Sequence, residues 1–176
     1  TPTLARQVIL KVRSVTDKPI SHLVLSHYHA VRVLGASEYM ANNIIMSSKA
    51  RSMVVERGQE DWDSEFDRFP RLFKGYEEIP GLTWPTTTFD KKMSLFLGKR
   101  RVDLYFLGRA HTAGDIVIHV PDSNVLFTGD IVEYKSACYC GDAHLQDWPK
   151  TLGKIAKFQA VSLVPGRGDA LTDPRL

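Results

Sequence analysis

Two histidines one residue apart open the chemistry of this chain. Ser26-His27-Tyr28-His29-Ala30-Val31-Arg32 follows directly on the apolar run Leu23-Val24-Leu25. At the mouth of a buried strand, imidazoles at that spacing can turn toward one point. Neutral imidazole binds zinc, iron, copper and nickel alike, so the pair is a candidate first half of a metal site. A bare His-x-His serves equally well as a polar strand end, and what singles this one out lies further along. Gly108-Arg109-Ala110-His111-Thr112-Ala113-Gly114-Asp115 precedes an apolar run over residues 116–120. Val125-Leu126-Phe127 ends in Thr128-Gly129-Asp130, and Leu163-Val164 runs into Pro165-Gly166-Arg167-Gly168-Asp169. In each case a strand-like run adjoins a Gly-containing turn that carries a ligand-type or charged side chain. Four such turns on one edge of a layered fold would build one site.

This arrangement resembles the metallo-β-lactamase superfamily, from about the first helix to the last turn. The family pattern is His-x-His-x-Asp-His, then a His in Gly-x-x-His-Thr-x-Gly, an Asp closing Thr-Gly-Asp, and a His in Pro-Gly-His-Gly. His27 and His29 match the first two ligands, His111 the third, and Asp130 the bridging carboxylate. Val31 stands where the family has Asp, Arg32 where it has His, and Arg167 where it has the final His. The first metal's three-histidine set is therefore complete, while the second metal's set keeps only Asp130.

The resemblance implies an α/β protein, a four-layer αββα sandwich of the metallo-β-lactamase type. It also implies one transition metal on His27, His29 and His111 with Asp130 as a further ligand and catalytic carboxylate; zinc is the expected metal and iron the alternative. Such a site lowers the pKa of bound water from about 15.7 to about 7. The implied activity is hydrolysis of a small-molecule ester, thioester or lactam, at an altered or reduced level. Arg32 and Arg167 carry fixed charges and no lone pair for a metal. A guanidinium about 6 Å from a dication costs roughly 5 kcal/mol at an effective dielectric of ~20, so the pair opposes a second metal. Both arginines are instead candidate binders of Asp130 or of an anionic substrate. Two other readings stay open: a mononuclear iron dioxygenase of the persulfide type, and an inactive relative that binds a ligand or partner through the old cleft.

Bulk composition narrows the classes further. The chain has 176 residues, 43% hydrophobic and 24% charged, as for an ordinary globular domain. A net charge of +3 is too mild to argue for nucleic acid. No run approaches the ~18 apolar residues of a membrane span, and no signal region opens the chain. A cytoplasmic protein is expected, with oligomeric state left open. Residues 1–176 read as one domain, and the N-terminal strands of the family lack a counterpart before the first helix. Cys138 and Cys140 are too few for a disulfide framework and read as free thiols.

The elements that must position the site follow from periodicity. Helices are expected over residues 4–15, from Ser47 to about Phe73, and over 148–158. A short helix is expected around 34–40. Strands are expected over 20–26, 44–46, 86–89, 93–97, 102–107, 116–120, 125–128 and 161–164, with Gly98-Lys99-Arg100 as a hairpin turn. The segment 75–85 is the candidate flap, and Thr112 and Asp115 are expected to shape the turn around His111.

Overall fold

A computed structural model of the chain describes residues 1–172. These residues form two compact units: Thr1–Met46 with Arg51–Thr88, and Ser47–Ala50 with the chain from Phe89 onward.

In the first unit, helix α1 (Pro2–Arg13) starts on a proline and carries Lys11 and Arg13 in its last turn. Both suit the helix ends they occupy, a missing N–H at the start and positive charge at the carbonyl end. Its apolar stripe is only half covered, with Leu4 48% and Val8 49% exposed. The helix seats Ala5 instead, close to Gly35, where a Cβ would lie 2.7 Å from the Thr1 carbonyl oxygen. Strand β1 (His22–Val24) is shorter than expected. Next come helix α2 (Ala30–Val33) and a 3-10 turn over Ala36–Tyr39. Strand β2 (Asn43–Ser47) then pairs parallel to β1, Leu23 opposite Ile44. Helix α3 (Ser48–Arg68) stops two residues before Pro70, whose ring cannot continue it. Strand β3 (Thr87–Phe89) completes a sheet of order β1-β2-β3. The expected flap is anchored: Ile79 and Thr83 are buried. Leu82 also packs against α3 at Gly58, where a Cβ would lie 3.0 Å from its Cδ1.

The second unit holds a six-stranded sheet of order β4-β5-β6-β7-β8-β9. Its strands are β4 (Lys92–Leu97), β5 (Arg100–Tyr105), β6 (Val117–Val120), β7 (Val125–Gly129), β8 (Ser162–Pro165) and β9 (Leu171–Thr172). Gly98, at φ +63°, turns the β4–β5 hairpin in a conformation that side chains disfavour. β7 and β8 pair parallel, joined through helix α4 (Trp148–Ala156); the other neighbours are antiparallel. Val117, Leu126, Leu163, Ile131, Trp148 and Ile155 form the core between sheet and helix. Each large apolar side chain so buried contributes about 1.5–3 kcal/mol. The two-residue β9 is too short for its periodicity to be readable. Among the described residues, no helix is long and apolar enough to cross a membrane.

Candidate functional site

In the first unit, His27 and His29 lie just beyond β1, in the loop that leads to α2. Both are buried, at 0% and 6% exposure. Their rings meet edge to face with centroids 4.9 Å apart, so the loop brings the pair together. His29 is the N-cap residue of α2, and the next backbone N–H, that of Ala30, donates to Asp61 Oδ2 at 2.5 Å. A carboxylate on the first N–H groups of a helix satisfies an orphan donor and suits the positive end of its dipole. Asp61 thus fixes the backbone next to His29 and starts α2 four residues before the helix expected from sequence. Between the histidines, Tyr28 is 1% exposed and lies under the Arg57 guanidinium, 5.9 Å from the ring centroid. Ser26 Oγ lies 3.0 Å from His27 Nδ1. A hydroxyl can donate to or accept from that nitrogen, and in either role it holds the ring in place.

Arg32, on α2, is half-buried. It borders a groove of about 380 Å³ with Leu4, Val8, Leu23 and Val31.

The second unit holds His111, which is fully buried in a closely tied turn. Asp115 accepts from the Thr112 backbone N–H at 2.6 Å and from Thr112 Oγ1 at 2.9 Å. Its Oδ1 also lies 3.6 Å from His111 Nδ1. Ser47 Oγ donates to the Gly114 carbonyl at 2.6 Å. Gly114 sits so close to Ala50 that a Cβ would lie 2.6 Å from the Ala50 Cα. From the other side, the His144 N–H donates to the Ala110 carbonyl at 2.8 Å. The Trp148 ring stands edge-on to His111 at 6.0 Å. Thr112 and Asp115 therefore shape this turn, and His144 enters through its backbone.

Asp130 follows β7 in the same unit and is 1% exposed. Arg167 Nη2 lies 3.6 Å from its Oδ2, an ion pair. The hydrogen bond of that guanidinium goes elsewhere, from Nη1 to Glu133 Oε1 at 2.9 Å. Both carboxylate side chains are fully buried, and Arg167 is 38% exposed. Sequence reasoning missed Glu133. Its only signal is an acid three residues after Asp130, which by itself reads as an exposed loop charge.

Backbone bonds lace the two turns together. The Gly166 N–H donates to the Val132 carbonyl at 3.0 Å, and the Tyr134 N–H to the Arg167 carbonyl at 3.0 Å. Gly166 leaves room for Asp130, since a Cβ there would collide with Asp130 Oδ1. Gly168, at φ +88°, packs on the Tyr134 carbonyl. Cys138 and Cys140 are exposed free thiols. Desolvation, followed by the charge of Glu133, pushes the Cys138 thiol above its ordinary value, which opposes thiolate ligation. His22 bonds with Ser21, and His119 bonds with Asn124 while packing on Phe158.

Residues 1–137 match the family described as the metallo-beta-lactamase superfamily. A metallo-beta-lactamase type 2 of Bacteroides fragilis is 28% identical over 177 aligned residues, covering 96% of this chain and 63% of the relative. Another from Bacillus cereus is 24% identical, covering 94% and 59%. The chain thus spans about three-fifths of the length of these relatives. Among solved structures, a metallo-beta-lactamase from Pontibacter korlensis aligns with a TM-score of 0.72 at 19% identity, over 96% of this chain and 71% of that one. Metallo-beta-lactamase IND-7 aligns at 0.70 and 21% identity, over 93% and 68%. The expected α/β fold of this type is therefore the fold of the chain. With a family match over residues 1–137, the chain belongs to the metallo-β-lactamase superfamily.

Proposed function

We propose that this protein is a metal-dependent hydrolase holding one transition metal on His27, His29 and His111, with Asp130 beside it. The observation that carries the reading is the donor set. The three histidines are buried, each offers one imidazole nitrogen, and all three match the family's ligand positions. The set fits a transition metal chemically, since borderline cations prefer neutral imidazole and Asp115 and Ser26 lie beside the Nδ1 atoms of His111 and His27. When bound, zinc in such a set acidifies water near neutral pH and polarises a carbonyl.

The chain's own residues then divide the work. Asp61 and Asp115 steady the backbone or ring of ligands they do not replace. Asp130 is the carboxylate that accepts and returns a proton, with the Arg167 guanidinium beside it. Arg32 and Arg167 add positive charge suited to an anionic portion of the substrate, Arg167 with part of its charge balanced by Glu133. Substrates are small esters, thioesters or lactams, of which the relatives' names point to the lactam.

Elemental analysis after dialysis against trace zinc and iron tests the reading. One equivalent of zinc per chain is expected, with chromogenic lactam or thioester hydrolysis that is lost on chelation. Two equivalents would overturn the single-metal site, and preferential iron uptake would favour an oxidative reaction instead.

A further inference from the structure

We propose a second ligand site, confined to the second unit, that binds a phosphate monoester. A cavity of about 500 Å³ opens between α4 and the loop leading to His111. Four cationic side chains border it, Lys49, Arg109, Lys150 and Lys154, against a single carboxylate, Asp147. A solvated face normally mixes its signs; here cations converge on a concavity, which focuses their field.

The walls are built in place. Thr151 Oγ1 donates to the Arg109 carbonyl at 2.9 Å, and Lys154 Nζ donates to the Leu107 carbonyl at 2.5 Å. Gly108 makes this possible, because at φ +140° a Cβ would lie 2.8 Å from Thr151 Oγ1. Arg109 is drawn to Asp147, with Nη2 2.5 Å from Oδ2, which orients the guanidinium along the cavity wall. Lys150 stands 3.6 Å from the other oxygen of the same carboxylate and is 76% exposed. Lys49 is exposed. One carboxylate cannot balance four cations, so a ligand with two adjacent negative charges complements the cavity better than a monoanion. The volume admits a phosphate with a small organic group attached. With Arg109 Nε and Nη2 both on Asp147, Arg109 and the lysines supply point contacts to separate phosphate oxygens.

The test titrates the whole chain with inorganic phosphate, then with a small phosphomonoester, at constant ionic strength set by chloride. Calorimetry and phosphorus line width read the binding. Saturable uptake is expected, weakened at least tenfold in Lys49→Gln/Lys150→Gln, whose exposed positions leave the fold intact. The metal-stripped chain should bind equally well, which separates this site from the proposed metal centre. No saturable uptake, uptake unchanged in the double variant, or uptake abolished by metal stripping would each overturn the proposal.

Discussion

Two turns of the second unit present the contrast that matters most. The turn around His111 is held by hydrogen bonds to its backbone, with Asp115 gathering Thr112 and facing the ring. The turn around Asp130 is held by charge, one guanidinium between two buried carboxylates. Around His111 the scaffold fixes the backbone on both sides of the imidazole. Where the family's last histidine has become Arg167, a cation belonging to the protein itself faces Asp130. A fixed guanidinium needs counter-charge at all times, whereas a metal can leave. That is a physical reason for Glu133 to sit opposite Arg167.

The contrast can be broken at its strongest point first. His111→Ala should reduce affinity for zinc on the order of 100-fold or more, because a ligand in an oriented set is lost outright. Competition against a chromogenic chelator measures it; parent-like affinity would remove His111 from the metal site. Next, Arg167→Ala strands Asp130 and Glu133 with less compensation. Breaking a buried pair costs about 3–5 kcal/mol, and the 38% exposure of Arg167 places the loss at the lower end. Denaturant melts showing a change within about ±0.5 kcal/mol would demote the cluster to an ordinary surface contact.

A smaller effect is expected from Asp115→Asn, which keeps the shape and removes the charge. We expect a loss of about 1–2 kcal/mol from weakened bonds to Thr112, with zinc affinity about tenfold lower through the ring's lost partner. If affinity stays while stability drops, Asp115 serves the turn alone.

Asp103 gives the mildest comparison, a buried carboxylate on β5 that belongs to neither turn. Burial raises its pKa, but bonds from Ser94 and Tyr105 and the charges of Lys92 and Arg101 outweigh that and hold it below the ordinary value. Its stabilisation is therefore present above the unfolded carboxylate range of about 3.9 and lost as pH falls through the lower folded value. The stability gap between parent and Asp103→Asn should close on acidification below that range; a gap that widens there would reverse the sign.

Much of this was readable from residue order. His27, His29, His111 and Asp130 stood out because their turns follow a family pattern, and a pattern of ligands fixes its fold class with it. The helix over Ser48–Arg68 and the β4–β5 hairpin followed from periodicity and Gly98. What stayed hidden depends on contacts far apart in the chain. Asp61 is 31 residues from the Ala30 N–H it binds, and Glu133 is 34 from Arg167. Neither distance leaves a local trace. The half-exposed stripe of α1 shows the converse, since a helical period announces an apolar face without saying how well it is covered.

The tetrapeptide Ser47–Ala50 has a consequence for how the molecule can be cut. It belongs to the second unit, although the chain on either side of it belongs to the first. A recombinant piece starting at Phe89 would therefore lack the Ser47 hydroxyl that donates to the Gly114 carbonyl, and the Ala50 surface on which Gly114 rests. Such a piece would present His111 in a loosened turn. During synthesis the order is favourable: the tetrapeptide leaves the ribosome long before residue 111, so its docking surface is already waiting when the histidine arrives.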